Sequence, residues 1–447
     1  MPELLDLACR LLERAGADEE VEVYVSRGSQ TSIRVFENAV EDLTAAESAG
    51  VGVRVIAGGR QGFSYVGALD ERAAAEALGE ARDNATFGTF DEHAGLAVPD
   101  GVEPPELDLW RPELASFPTD AKVDLALDLE RRVRAGDSRI RQVVSSDYVD
   151  GLGEMAIATS RGIRATGRQT GCYLFVHAVA GDGDDTQTGF GYSVGRGPDD
   201  LDPGRAAADA LERATRLLGA KKAKSARLTA VLDRRVAASL LGILAGTLSG
   251  EEVAKGRSLF AGRVGEQVGN AALTLIDDPT NPLAYGASRH DAEGLACRRN
   301  SLVVGGELKG FLYDTYAGRL AGAASTGSAV RGGFRTTPGV GAQALSLEPG
   351  ALNQSEIIAQ VGEGLLVQSI SGMHSGVNVV SGDFSVGAEG LMIRGGELAE
   401  PVREVTIAST IQRMLERVVA VGSDTEWLPG AAAGVTLAID DISMSGS

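Results

Sequence analysis

Residues 228–251 read LTAVLDRRVAASLLGILAGTLSGE, a short strand feeding a helix that is apolar almost all the way round. Asp233 is placed to cap it, and Val236, Leu240, Ile243, Leu244, Thr247 and Leu248 recur at helical spacing. Leu241 and the small residues Ala237, Ala238, Gly242, Ala245 and Gly246 fill the other side, leaving no strongly polar face. Such a helix belongs in an interior. Glycines inside a helix each cost about 1 kcal/mol relative to alanine, so Gly242 and Gly246 predict a closely packed neighbouring backbone. The chain must therefore build a core able to hold this helix, and 447 residues are material for two or three domains.

Ahead of that stretch the apolar period changes to two. Val21, Val23 and Val25, then Thr31, Ile33 and Val35, then Val51, Val53 and Val55 alternate with polar residues, and Gly58-Gly59 turns the chain into GFSYVGAL. That pattern predicts an antiparallel meander with one buried face. Prolines at 99, 104, 105, 112 and 118 mark a boundary. Beyond it, strands are expected near 139–148, 153–159, 162–168, 172–180 and 188–194, between helices at 119–134 and 203–218. The segment GFSYVGALDERAAAEAL at 62–78 is echoed by GFGYSVGRGPDDLDPGRAAADAL at 189–211. Either an old duplication or a common hairpin-to-helix idiom produces such an echo. After the basic linker GAKKAKSA at 219–226, glycine becomes frequent between short strands. The expectation is an α+β chain. Two related β-meander/helix units at 1–95 and 119–218 precede a larger, glycine-rich, mainly antiparallel β domain at 227–447 that contains the buried helix.

A net charge of −20, with KKAK as the longest basic run, argues against nucleic acid as a direct ligand. Cys9, Cys172 and Cys297 are scattered and odd in number, as expected of reduced thiols in a cytoplasmic protein. The amphipathic, acid-bearing start is unlike an export signal, and no apolar run reaches the roughly 18 residues of a membrane span. The histidines His93, His177, His290 and His374 each stand alone. His177, in the strand YLFVHAVA, reads as a satisfied sheet residue and His93 as part of the boundary loop. His290 in SRHDAEG and His374 in SGMHSG are candidates for a site, and a metal shared between them and Asp291, Glu293 or Asp383 is one alternative. No GxSxG elbow, phosphate loop or dinucleotide fingerprint occurs.

The later part of the chain resembles the TldD/PmbA family, in its PmbA (TldE) branch. The likeness rests on GELKGFLYDTYAGRLAGAASTG at 306–327, VNVVSGDFSVGAEGLMIRGGELAEPVREVTIA at 377–408, VGSDTEW at 421–427 and AIDDISMSGS at 438–447, with GVGVRVIAGGRQGFSYVGALD at 50–70 extending it to the first unit. The resemblance implies a cytoplasmic assembly that degrades or trims small unfolded peptides. In the catalytic branch a helix at the start of the third domain carries HExxxH, and a late cysteine completes a zinc site. Here Leu241 stands for the first histidine, Gly242 for the glutamate and Gly246 for the second histidine, and no cysteine follows Cys297. Aliphatic and absent side chains neither bind zinc nor take a proton from water. The resemblance thus implies a chain without catalytic residues and without its own cofactor, paired with an HExxxH-bearing TldD-type subunit that supplies the zinc, or with itself when alone. For contact with peptide or partner the expected feature is a strand edge from about Val377 to Arg394, with Val377, Asn378, Val379, Val380, Asp383 and Phe384 as contact residues. The competing expectation is a regulatory binding protein of gyrase-modulator type, outside peptidase chemistry.

Overall fold

A computed structural model describes residues 2–446; Met1 and Ser447, the ends of the outermost stretches quoted above, lie outside them. The first unit runs α1 (Pro2–Leu12), β1 (Glu19–Phe36), β2 (Ala39–Ala57), β3 (Arg60–Val66) and α2 (Glu71–Phe87). The second repeats that order with α3 (Thr119–Gly136), β4 (Ile140–Thr159), β5 (Arg164–Ala180), β6 (Gln187–Gly195) and α4 (Pro203–Thr215). Their strands join in one antiparallel sheet, β3-β2-β1-β4-β5-β6, with the first strand of each unit paired to the other. The short stretches expected at 21–25 and 31–35 are one 18-residue strand, and those around 139–159 and 162–180 are likewise single strands. Glycine hid the continuity: Gly28 faces Gly153 and Gly151 faces Gly171, so the side-chain period vanishes while the hydrogen-bond ladder runs on.

Alternation sets which face is covered. Val21, Val23, Val25 and Val51, Val53, Val55 pack under α1 and α2 with Leu4, Leu7, Leu11 and Leu78. Ile33, Val35, Val143, Leu174 and Val176 pack under α3 and α4 with Leu129 and Val133. The sequence echo has a physical cause here. A Cβ on Gly62 would lie 2.0 Å from the Ala81 carbonyl oxygen, and one on Gly189 would lie 2.2 Å from that of Ala210. In both units this glycine lets a strand meet its helix backbone to backbone.

The third domain begins with β7 (Ala226–Leu232) and α5 (Arg234–Thr247), and the strands that join β7 in its six-stranded sheet are β8 (Gly364–Ser371), β9 (Asp383–Arg394), β10 (Glu397–Thr410), β11 (Val418–Val421) and β12 (Leu437–Ser445). Their order is β10-β9-β8-β7-β12-β11, and pairing of β10 with β12 through Ile407 and Met444 closes a barrel. Only β7 and β8 run parallel among these pairs. The inner face of α5 packs Val236, Leu240, Leu241, Leu244 and the following Leu248 into the main core of this domain. Asp233 caps the helix as expected, accepting from the Arg235 amide at 3.1 Å, and is gripped by Arg213 through both carboxylate oxygens at 2.8 and 2.9 Å. Burial opposes ionisation of Asp233, but the Arg213 guanidinium holds its carboxyl below the usual range.

One expectation about α5 fails. Gly242 and Gly246 are exposed, and a Cβ on either would meet nothing within 4 Å. No backbone packs against them; they border open space.

Candidate functional site

That space is a trough between the uncovered face of the six-stranded sheet and the third domain. Because strand side chains alternate, the neighbours of core residues Ile33, Tyr148 and Leu174 point the other way. Ser32 and Arg34 of β1, Asp147 and Val149 of β4, Tyr173 and Phe175 of β5 and Tyr192 of β6 thereby line a cavity of about 760 Å³. Its far wall is α5, through Arg235, Ala238, Ser239, Gly242 and Ala245, with residues 428–432 closing one side. Val149 and Tyr173 also border a second cavity of about 490 Å³, whose floor includes Gly28, Gly151, Gly153 and Gly171. Gly28, Gly153 and Tyr285 carry on into a third, of about 780 Å³, bounded by the loops 285–292 and 329–335. The middle of the trough thus has four glycines in its floor, beside side chains such as Gln30 and Gln169.

Its first cavity is aromatic and charged at the rim. Phe175 and Tyr192 have ring centroids 4.8 Å apart, Phe175 and Phe190 5.8 Å, and His177 and Phe190 4.4 Å. The Arg235 guanidinium lies 5.0 Å from the Tyr192 ring centroid, and Arg34 Nε donates to Asp147 at 2.8 Å. Burial raises the pKa of Tyr192 and lowers that of His177.

The two bodies enclosing the trough are joined by a buried ion cluster. Glu22 of β1 accepts from Arg54 of β2 at 2.6 Å and from Arg331 of the third domain at 2.7 Å, while Glu293 lies 3.6 Å from Arg54. Arg331 also sits 4.4 Å from the Tyr24 ring centroid. Burial disfavours the Glu22 carboxylate, yet Arg331 and Arg54 keep its pKa below the ordinary value.

The residues singled out in the sequence scatter over this architecture. Gly242 borders the first cavity and Gly246 is exposed one turn on, whereas Leu241 is 1% exposed in the core. Successive helical residues are turned by about 100°, which puts Leu241 in the core while Gly242 faces the cavity. The side chains that α5 turns to the cavity are a guanidinium, a hydroxyl and methyls, a set that does not fit zinc. His290 walls the third cavity with its Nδ1 buried and unpartnered, and burial lowers its pKa. His374 is exposed on the short helix Met373–Gly376, which packs on β9. The structure does not bring the two into one site: among the described residues no three His, Cys, Asp or Glu side chains are grouped to hold a metal. Asp291 and Glu293 serve the fold instead, Asp291 by accepting from the Glu293, Leu295 and Ala329 amides.

The free strand edge expected from Val377 to Arg394 is also corrected. Strand β9 is paired to β8 on one side and β10 on the other, and closure of the barrel leaves it no edge. Val377, Asn378, Val379 and Val380 form a turn before the strand, in which the Asn378 side chain accepts from the Val380 amide at 2.9 Å and Val377 bridges to Phe384. Asp383 accepts from the Ser381 hydroxyl at 2.6 Å. The aromatic wall and the ion cluster went unread in the sequence. Tyr173, Phe175 and His177 stand at every second position of β5, a legible signal, but apolar residues on the other face masked it.

Comparison with known proteins covers all of these parts. Residues 21–85 match the PmbA/TldA metallopeptidase domain 1, residues 112–218 its central domain and residues 225–446 its C-terminal domain. The metalloprotease PmbA of Escherichia coli O157:H7 is 27% identical over 95% of this chain and 92% of its own. A crystal structure from Thermotoga maritima MSB8, described as a proposed modulator of a DNA gyrase, superposes with a TM-score of 0.89 at 25% identity, over 98% of this chain and 99% of that one. TldE from Thermococcus kodakarensis shares the fold with a TM-score of 0.88 at 22% identity over the full length of both chains.

Proposed function

The chain belongs to the PmbA/TldA metallopeptidase family through all three of its domains, and on that premise we propose that it is the metal-free subunit of a two-chain zinc peptidase for small unfolded peptides. The observation that carries this reading is the side of α5 turned to the trough. It lies beside a cavity large enough for part of a peptide, and it offers no metal ligand and no general base. Zinc bound by an HExxxH-bearing partner would polarise the scissile carbonyl and activate water.

The work of this chain is then to hold and enclose. A floor of Gly28, Gly151, Gly153 and Gly171 lets an extended backbone approach without regard to its side chains, as loosely specified substrates require. The clamp of Glu22, Arg54 and Arg331 fixes the two walls of the trough against each other. No helix among the described residues is long and apolar enough to cross a membrane, and a cytoplasmic setting is part of the proposal.

The test is to purify the chain alone, then mixed with its HExxxH-bearing partner, measuring mass, zinc content and cleavage of an unstructured peptide. The lone chain should form no zinc-dependent peptidase, and the mixture should give a stable complex whose cleavage a chelator stops. Chelator-sensitive cleavage by the lone chain, or failure of the two to associate, would overturn the reading.

A further inference from the structure

The first cavity of the trough has a construction that the peptidase reading does not use. On one side, β5 and β6 present Tyr173, Phe175 and Tyr192, with His177 and Phe190 continuing the stack beyond the cavity wall. Phe, Trp and Tyr make up only 5% of the chain, so this concentration on one surface of two neighbouring strands is a local feature. On the other side α5 presents Ala238, Gly242 and Ala245. A Cβ on Gly242 would meet nothing within 4 Å, so the space beside this residue is open. Arg235, stacked on Tyr192 and with its buried Nε unpartnered, bounds the slot, and the Arg34–Asp147 pair makes a polar rim.

A wall of π faces opposite the small residues Ala238, Gly242 and Ala245, with Arg235 at one end of the same helix, has the shape of a receptacle for a flat ring. Offset or edge-on ring contacts add about 0.5–1.5 kcal/mol beyond simple area burial, a gain that aliphatic groups of similar size do not share. We propose that this slot is a subsite for an aromatic side chain of the bound peptide, seated against Phe175 and Tyr192 with the backbone of α5 behind it. The proposal rests on the peptide-binding reading above and adds a preference to it: the glycine floor accepts any sequence, and the aromatic slot sets the register in which the peptide lies.

The experiment titrates the chain, alone and assembled with its HExxxH-bearing partner, with two blocked glycine heptapeptides, one carrying a central phenylalanine and the other a central alanine. N-acetylphenylalaninamide is the third probe. The phenylalanine peptide should bind roughly tenfold more tightly than the alanine peptide. Gly242→Leu, which fills the slot from the open side of α5, should abolish that ratio with the unfolding midpoint retained. Phe175→Ala should reduce the ratio independently. Equal affinity for the two heptapeptides in the unaltered chain, or a ratio that survives both substitutions, would overturn the aromatic subsite and leave peptide binding standing. If only N-acetylphenylalaninamide binds, and Gly242→Leu removes it, the subsite stands and the peptide reading falls. If none of the three binds to chain or assembly, both fall.

Discussion

Glu22 holds two guanidiniums that belong to different bodies of the molecule, Arg54 on the neighbouring strand and Arg331, 309 residues later in the chain. All three side chains are nearly excluded from water, so removing the carboxylate leaves Arg331 without its buried acid partner and Arg54 with only the more distant Glu293 at 3.6 Å. Glu22→Ala should cost on the order of 3–5 kcal/mol in urea unfolding, and a loss under about 1 kcal/mol would mean that the cluster is wetter than its burial indicates. Since Glu22 has a depressed pKa, its contribution is present above the ordinary 4.5 and is lost as pH falls below that. Asp277 titrates in the opposite sense. It is fully buried, one carboxylate oxygen accepts from the Gln343 and Ala344 amides, the other has no partner, and burial pushes its pKa up to about 6. The folded state keeps this proton where the unfolded chain has lost it. Its stabilisation is therefore complete below the ordinary 3.8 and is lost as pH rises through about 6. Asp277→Asn should flatten the fall of the unfolding midpoint between those values and stabilise the chain at neutral pH by on the order of 1–3 kcal/mol. An unchanged slope would refute the assignment. Neither residue could be singled out in the sequence, because burial and long-range partners make them unusual and residue type does not.

Glycines that look alike in the sequence separate sharply by the element they serve. Gly62 and Gly189 are held against helix backbone, and a methyl group at either would force β3 from α2 or β6 from α4. Alanine at Gly62 or Gly189 should destabilise by about 1–3 kcal/mol. Gly242 and Gly246 stand on the open side of a helix with room to spare, so alanine at each should raise stability by about 0.5–1 kcal/mol. Opposite signs in thermal unfolding would confirm the distinction; destabilisation by Gly242→Ala would show that something covers α5. The helix itself was legible down to its Asp233 cap and its leucine stripe, since both are local properties. The environment of its glycines was not, because a helical pattern identifies a small residue without saying whether another backbone or a cavity lies beyond it.

At the scale of the molecule, closure of the barrel depends on β12, which pairs with β7, β10 and β11. Truncation before Leu437 should expose the edges of three strands and abolish cooperative unfolding, measured by circular dichroism against denaturant; a truncated chain with an unchanged midpoint would make β12 dispensable. Closure also explains why the edge expected from about Val377 to Arg394 does not exist: the strand in that stretch, Asp383–Arg394, is paired on both sides. By itself the sequence determined what depends on neighbours along the chain: the α+β order of elements, the repeated strand-to-helix idiom and the apolar helix. Only the tertiary structure decided that two units share one sheet, that its glycines lie in the floor of a trough, and that an aromatic wall confronts the small residues of a helix. Those features arise from pairings between residues hundreds of positions apart, which the periodicity of a single segment does not encode.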